Sequence, residues 1–216
     1  MLWIQKQNFI LIYSYDAYSQ ASLKSIINIY ITFIDRMIPE LNSSFSEILN
    51  FWFAPESKRY WFAKNKKFDN LIKDKFLITY QDACSDKLDF WKKTPDGMLS
   101  LIIIFDQFPR NFFRGSPQAF ATDLKALNLA KLAIEQSMDK KLSTDEKRHF
   151  MYMPFMHSEN IADQELSLRL FNHAKSATQH YNIIKKFGRF PHRNKVLNRS
   201  STYEEILFLA KPYSSF

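Results

Sequence analysis

The 216-residue chain carries a net charge of +8 and is 46% hydrophobic and 16% aromatic, enough for one domain with a large buried core, or one domain with an extension. Its three glycines, Gly97, Gly115 and Gly188, cannot be fitted to G-x-G-x-x-G or G-x-x-x-x-G-K-[ST], which excludes those two nucleotide-binding routes. One cysteine, Cys84, permits no internal disulfide and no cysteine-based zinc cluster; it reads as a small buried apolar residue in a reducing, cytoplasmic setting.

Residues 1–36 differ from the rest of the chain. Their apolar patches, Phe9–Tyr15 and Ile26–Ile34, are interrupted by Asp16 and Lys24, and neither reaches the ~18–20 residues of a membrane span, so no membrane partner is expected. Lys6 is a thin basic start for a signal peptide, and no small-residue cleavage site comes after it. The segment reads either as an extra amphipathic helix or as translated upstream sequence with Met37 as the start; tryptic peptides from residues 7–24 in native protein would eliminate the second. The expected organisation is an extension over residues 1–43 and a single all-α domain over 44–216.

Helix signals are regular from Ser43 onward. Ser44-Phe-Ser-Glu47 has the form of a capping box opening Ile48–Phe53, and Asp69 is placed to cap a helix running to about Asp82. Thr94-Pro95-Asp96 supplies an N-cap with proline at the first helical position. The helix after it, Met98–Phe105, is apolar nearly all round and therefore central; Pro95 and missing turn chemistry argue against a strand through Ile102-Ile103-Ile104. Phe120, Leu124, Leu127 and Ile134 recur on one face of the next helix. Ser143-Thr-Asp-Glu146 is another capping box, and Pro154 is expected to end or kink the helix it opens. A long helix is predicted over Ile161–Lys186, with His173 and His180 on its apolar seam and Gly188 as its C-terminal cap. Ser201 and Thr202, with Glu204 and Glu205, cap a last helix over Tyr203–Ala210. The prediction is all-α: an antiparallel bundle of seven to eight helices.

Charge placement says more than its total. The 38 residues 166–203 contain no Asp or Glu but hold Arg169, Lys175, Lys185, Lys186, Arg189, Arg193, Lys195 and Arg199, with His173, His180 and His192. Such a stretch attracts phosphate, carboxylate or a nucleic-acid backbone, unless it is a solvated face or its arginines pair with acids of the first half.

Within it lies an internal echo. Gln107-Phe-Pro-Arg-Asn111 resembles Arg189-Phe-Pro-His-Arg-Asn194 with one residue inserted. Proline and asparagine suit a structural corner, but a corner does not need Arg110, Arg114, Arg189, His192 and Arg193. Asp106 is odd in another way: it closes an apolar helix, where the dipole disfavours negative charge, so it needs a partner, with Arg110 or Arg114 nearest in sequence. His157 and Glu159, after the Pro154 break, are a histidine and carboxylate with general-base potential, although i,i+2 residues do not face one another on a regular helix. His157, His180 and His192 are the three histidines a metal site would require. No H-x-x-x-H or H-E-x-x-H pairing occurs, and no metal or other cofactor is assigned.

Several segments stand in an order that marks a family: Phe51-Trp-Phe53, Trp61-Phe62, Asp106 to Asn111 with Arg114-Gly115, Ala119 to Asp123, Met156 to Glu159, Asp163-Gln164, Gly188 to Asn194, and the ending Ser214-Ser-Phe216. Over about residues 44–216 the chain resembles the bacterial domain-of-unknown-function family numbered 924. The resemblance implies a tetratricopeptide-like stack of antiparallel helices and brings no established activity.

Three functions remain open. The first is an enzyme or binding protein for an anionic, phosphate- or carboxylate-bearing metabolite. Arg110, Arg114, Arg189 and Arg193 would grip the anion, Asn111, Asn194 and His180 would line it, and Asp106, His157, Glu159 and His192 would be the candidates for proton transfer. The second is a peptide-binding groove; the third is RNA binding through residues 166–203, with Phe190 or Tyr181 stacking on bases.

Overall fold

The computed structural model describes residues 25, 28, 29, 45–212 and 214. The chain divides into two compact units, Met1–Ser44 and Phe45–Phe216. The first lies almost wholly outside the described residues, and with it the amino-terminal helix, the Met37 alternative and the Ser44 cap. Among the described residues the second holds helices joined by turns and loops, and no strand. Helix α1 covers residues 45–52. It is followed by α2 (Pro55–Lys58), α3 (Lys66–Cys84), α4 (Pro95–Asp106), α5 (Phe108–Phe112), α6 (Asp123–Glu135), α7 (Asp145–His157), α8 (Ile161–Leu170), α9 (Lys175–Phe187) and α10 (Tyr203–Leu209). Among the described residues no helix is long and apolar enough to cross a membrane.

The bundle is assembled around α4. Thr94 Oγ1 accepts from the Gly97 N–H at 3.1 Å and Pro95 opens the first turn, as the sequence indicates. From Gly97 to Asp106 every residue is buried, because α4 packs against α3, α5, α6, α7 and the 3-10 turn Asp89–Lys93. That turn is why position 97 is glycine: a Cβ there would stand 2.3 Å from the Trp91 carbonyl oxygen. A set of aromatic rings ties α1, α3, α5 and α7 together beside α4. Trp52 meets Phe108 and Phe150 at 5.7 and 5.5 Å, and Phe76 stacks on Phe108 at 5.2 Å.

The inward face of α6 corrects the expectation. Ala126, Ala130 and Ala133 are fully buried, whereas Leu124 is 68% exposed and Phe120 lies in the preceding 3-10 turn Pro117–Phe120. Leu127 is buried as expected and Ile134 packs against the core, but the face turned to α4 also includes the alanine stripe, whose small side chains let the two helices lie close.

Four other expectations are also revised. Asn65 caps α3, accepting from the Phe68 N–H at 3.0 Å, which leaves Asp69 in the first turn, where the helix dipole favours its charge. The cap of α7 is Thr144, one residue beyond Ser143, accepting from the Lys147 N–H at 3.2 Å. Pro154 does not end α7, which runs on to His157. Finally, the single helix expected over Ile161–Lys186 is two, separated by Asn172 and His173 at φ 46° and 54°. Asparagine and histidine tolerate this left-handed region better than most residues, and His173 is consequently exposed in a turn and not on a seam. Gly188, at φ 68°, ends α9, and a Thr202–Glu205 capping box opens α10.

Gly97→Ala is expected to lower stability by about 1–3 kcal/mol through overpacking against Trp91. Urea denaturation reads it as a lower midpoint at unchanged slope; an unshifted midpoint would mean the Asp89–Lys93 turn yields freely.

Candidate functional site

The Phe108-Pro109 corner breaks the chain after α4, and α5 begins at once, so Arg110 lies one turn beyond Asp106. At the far side of α4, α7 brings His157 to the same place. Its last turn is anchored by Gln164, fully buried on α8, whose Nε2 donates to the carbonyls of Met156 and Ser158 at 2.7 Å each and lies 3.3 Å from that of Phe155. The Met156 and Ser158 carbonyls stand at the helix end and gain a partner in Gln164, while that of Phe155 also accepts from the Ser158 N–H.

The centre is the carboxylate of Asp106, 1% exposed. Its Oδ1 lies 2.7 Å from His157 Nδ1 and accepts from Arg110 Nη2 at 3.2 Å, and its Oδ2 accepts from Gln107 Nε2. Burial pushes this carboxyl up, but His157, Arg110 and the Gln107 hydrogen bond outweigh it and hold it down at about 2. Arg110 also reaches Asp123 Oδ1 at 3.0 Å and the Ala119 carbonyl at 2.8 Å. The other Asp123 oxygen accepts from Arg193 Nη1 at 3.2 Å, and Arg193 Nη2 donates to the His157 carbonyl at 3.1 Å. The buried Arg193 guanidinium lies 4.7 Å from the Phe120 ring centre and 4.6 Å from that of Phe190.

Two more histidines stand beside this group. The His180 ring centre is 6.3 Å from that of His157 and 5.5 Å from that of Phe190, and His192 is 5.6 Å from Phe190. Burial, with the charges of His157 and Arg193, drives His180 down to about 3, while its Nδ1 donates to the Ser176 carbonyl at 2.8 Å. Burial and Arg193 push His192 down to about 4 against the pull of Glu159. Both imidazoles are therefore neutral at pH 7. Burial and Arg110 bring Arg193 itself down to about 10. Among the described residues no three His, Cys, Asp or Glu side chains form a group that could hold a metal ion.

The residues singled out from sequence thus fall into three sets. Asp106, Arg110, His157, His180, His192 and Arg193 come together. Glu159, Arg189 and Asn194 instead frame the loop after α9. Glu159 accepts from Arg199 at 2.7 and 3.0 Å and from the Phe190 N–H at 2.8 Å, and burial of its carboxyl is overcome by these bonds, so its pKa is lowered. Arg189 makes a two-point pair with Glu205 at 2.7 and 2.8 Å, and Asn194 donates to Ser201 and Glu205. The third set, Asn111 and Arg114, grips Asp69 on α3 with three bonds of 2.8 Å. Sequence reasoning missed Asp123, Arg199 and Glu205 as partners. The surplus of arginines over nearby acids in residues 166–203 was the available signal.

An open depression of about 290 Å³, lined by Ser46, Asn50, Phe53, Asp96 and Lys147 among others, lies elsewhere. Lys147 and His157 are ten residues apart on α7, which at 1.5 Å per residue is about 15 Å.

Residues 48–213 match the family described as "Bacterial protein of unknown function (DUF924)", and the chain belongs to that family. It is similar to the solved structure of a protein of unknown function from Agrobacterium tumefaciens, with TM-score 0.73 and 36% identity over 78% of this chain and 98% of that one. No curated protein matches the chain.

Acid should destabilise the fold in a defined order. His180 and His192 have folded values below the ordinary 6.5, so the unfolded chain binds more protons; stability is full above that value and falls as the pH drops through it. Each histidine forced to stay neutral contributes a slope of about 1.4 kcal/mol per pH unit. Asp106, held at about 2 against an ordinary 3.8, adds a further loss below pH 4. Chemical denaturation from pH 8 to 4 measures this. His180→Leu should flatten the decline between pH 6 and 4, and an unchanged slope would show that His180 is not held neutral.

Proposed function

We propose that the chain binds an anionic small molecule at the Asp106–His157 pair, as an enzyme or binding protein in which His157 is the proton-transfer group. The observation that carries this reading is the 2.7 Å contact between His157 Nδ1 and a carboxylate that is 1% exposed. A carboxylate on Nδ1 fixes the tautomer with its proton there, so Nε2 is presented as the base and, once protonated, as the acid. Asp106 is the orienting partner, and Arg193 supplies a cationic wall held by Asp123 and two aromatic rings. Burying a carboxylate at the C-terminal end of an apolar helix opposes stability, which supports a chemical use for it.

Thermal melting of the full chain against phosphates, carboxylates, nucleotides and short RNA at two salt concentrations tests the reading. A ligand at a hundredfold over its dissociation constant adds about 2.7 kcal/mol of stability. One small anion should raise the melting temperature, and His157→Gln should abolish the shift while the protein still melts cooperatively. Once a substrate is found, the same substitution should lower kcat by about 10²–10⁴-fold. A shift that survives in His157→Gln, or a response to RNA at low salt alone, would overturn the reading.

A further inference from the structure

The charges at this centre cancel in pairs. Asp106 faces Arg110 and Asp123 bridges Arg110 to Arg193, giving two guanidinium groups and two carboxylates. Around His157 stand Asp106 from α4, Arg110 from α5, His180 from α9, and His192 with Arg193 from the loop after it; His149 lies two turns back on its own helix. Burial holds His149, His180 and His192 below the ordinary histidine value. Within this set His157 is the imidazole in hydrogen-bond contact with a carboxylate, and its Nε2 makes no hydrogen bond among the described residues. A second nitrogen is also without one: Arg193 Nε is buried and unpartnered, on a guanidinium whose Nη2 already touches the His157 carbonyl.

We propose that this site takes a singly charged carboxylate, bound as the counter-ion of a protonated His157, so that one proton enters with each ligand. The proposal rests on the reading of His157 as the binding centre. A carboxylate offers two acceptor oxygens, which suit one N–H on His157 and one on Arg193. A neutral His157 would present a lone pair to the anion and repel it, which couples binding to protonation. A monoanion restores neutrality, whereas a dianion leaves an unbalanced negative charge where burial makes it costly.

The test is calorimetric titration of the full chain with acetate and with sulfate, a dianion throughout, between pH 6 and 8.5 at constant ionic strength. Two buffers of different ionisation heat report the protons taken up. Acetate should bind with uptake approaching one proton per ligand, its affinity falling by up to tenfold per pH unit on the alkaline side, and sulfate should bind more weakly at every pH. Because His157→Gln alone leaves the Asp106 charge short of a partner, the paired His157→Gln and Asp106→Asn variant is the control. It replaces the ionic contact by an amide pair and should lose both affinity and proton uptake. Acetate affinity that does not change with pH, or sulfate binding more tightly than acetate, refutes the proton-linked monoanion and leaves the centre standing. No binding of either anion to the wild-type chain at any pH refutes both.

Discussion

A carboxylate with almost no water around it, at the negative end of a helix, has to be neutralised by the fold itself. Asp106 is in that position, and most of the architecture at its end of the bundle follows from it. The Pro109 corner must come immediately, to return Arg110 one turn later. Helix α7 must run past Pro154 to reach it with His157, and Gln164 must hold that last turn in place. Asp123 then balances Arg110 and extends the set to Arg193. Removing any one charge strands another in a dry setting, which makes the cluster cooperative and costly to alter piecemeal.

The two related Phe-Pro segments acquire different jobs from similar letters. In the first, Phe108 enters the aromatic core and Arg110 serves Asp106 and Asp123. In the second, Phe190 is fully buried beside His180, and the inserted His192 shifts the arginine so that Arg193 reaches the same Asp123 from the opposite side. The loop carrying it has little regular structure of its own. Two acids outside the loop fix it: Glu159 through Arg199 and the Phe190 N–H, and Glu205 through Arg189 and Asn194. These side chains set where the loop lies, and so act on the centre through Arg193 and His192.

Local chemistry was legible in the sequence; long-range pairing was not. Thr94-Pro95 at the start of α4, the Gly188 terminus and the Thr202–Glu205 box all depend on neighbours within four residues, and the burial of α4 was legible because its own side chains are apolar nearly all round. The need of Asp106 for a partner followed from helix polarity, and Arg110 was found because it is four residues away. His157 lies 51 residues from Asp106 and Arg193 lies 70 from Asp123, separations that no pattern of spacing encodes. The helix break at Asn172–His173 was missed because the apolar positions on either side keep a helical rhythm, while two left-handed residues interrupt the backbone. On α6 Leu127 was read correctly, whereas the alanines were passed over and Leu124 was misplaced, because close approach to α4 selects small side chains that a search for large apolar residues overlooks.

The same pairing bears on what the acid-free stretch is for. A polyanion would be held by unpaired surface cations, and affinity would scale with how many counterions they release. Three arginines of the stretch, Arg189, Arg193 and Arg199, are already engaged by Glu205, Asp123 and Glu159, all acids from outside it. Of the two rings considered for stacking on a base, Phe190 is fully buried and Tyr181 half-buried. Those three arginines of the basic stretch are thus one half of a set of ion pairs whose acidic half lies elsewhere in sequence. The positive charge still available sits mainly on lysines such as Lys185 and Lys186, both exposed at the end of α9. Such a surface attracts anions weakly and without discrimination, whereas discrimination needs donors fixed in position. Donors fixed in that way lie at the Asp106 cluster, where Arg110 and Arg193 are held by Asp106, Asp123 and the aromatic rings around them.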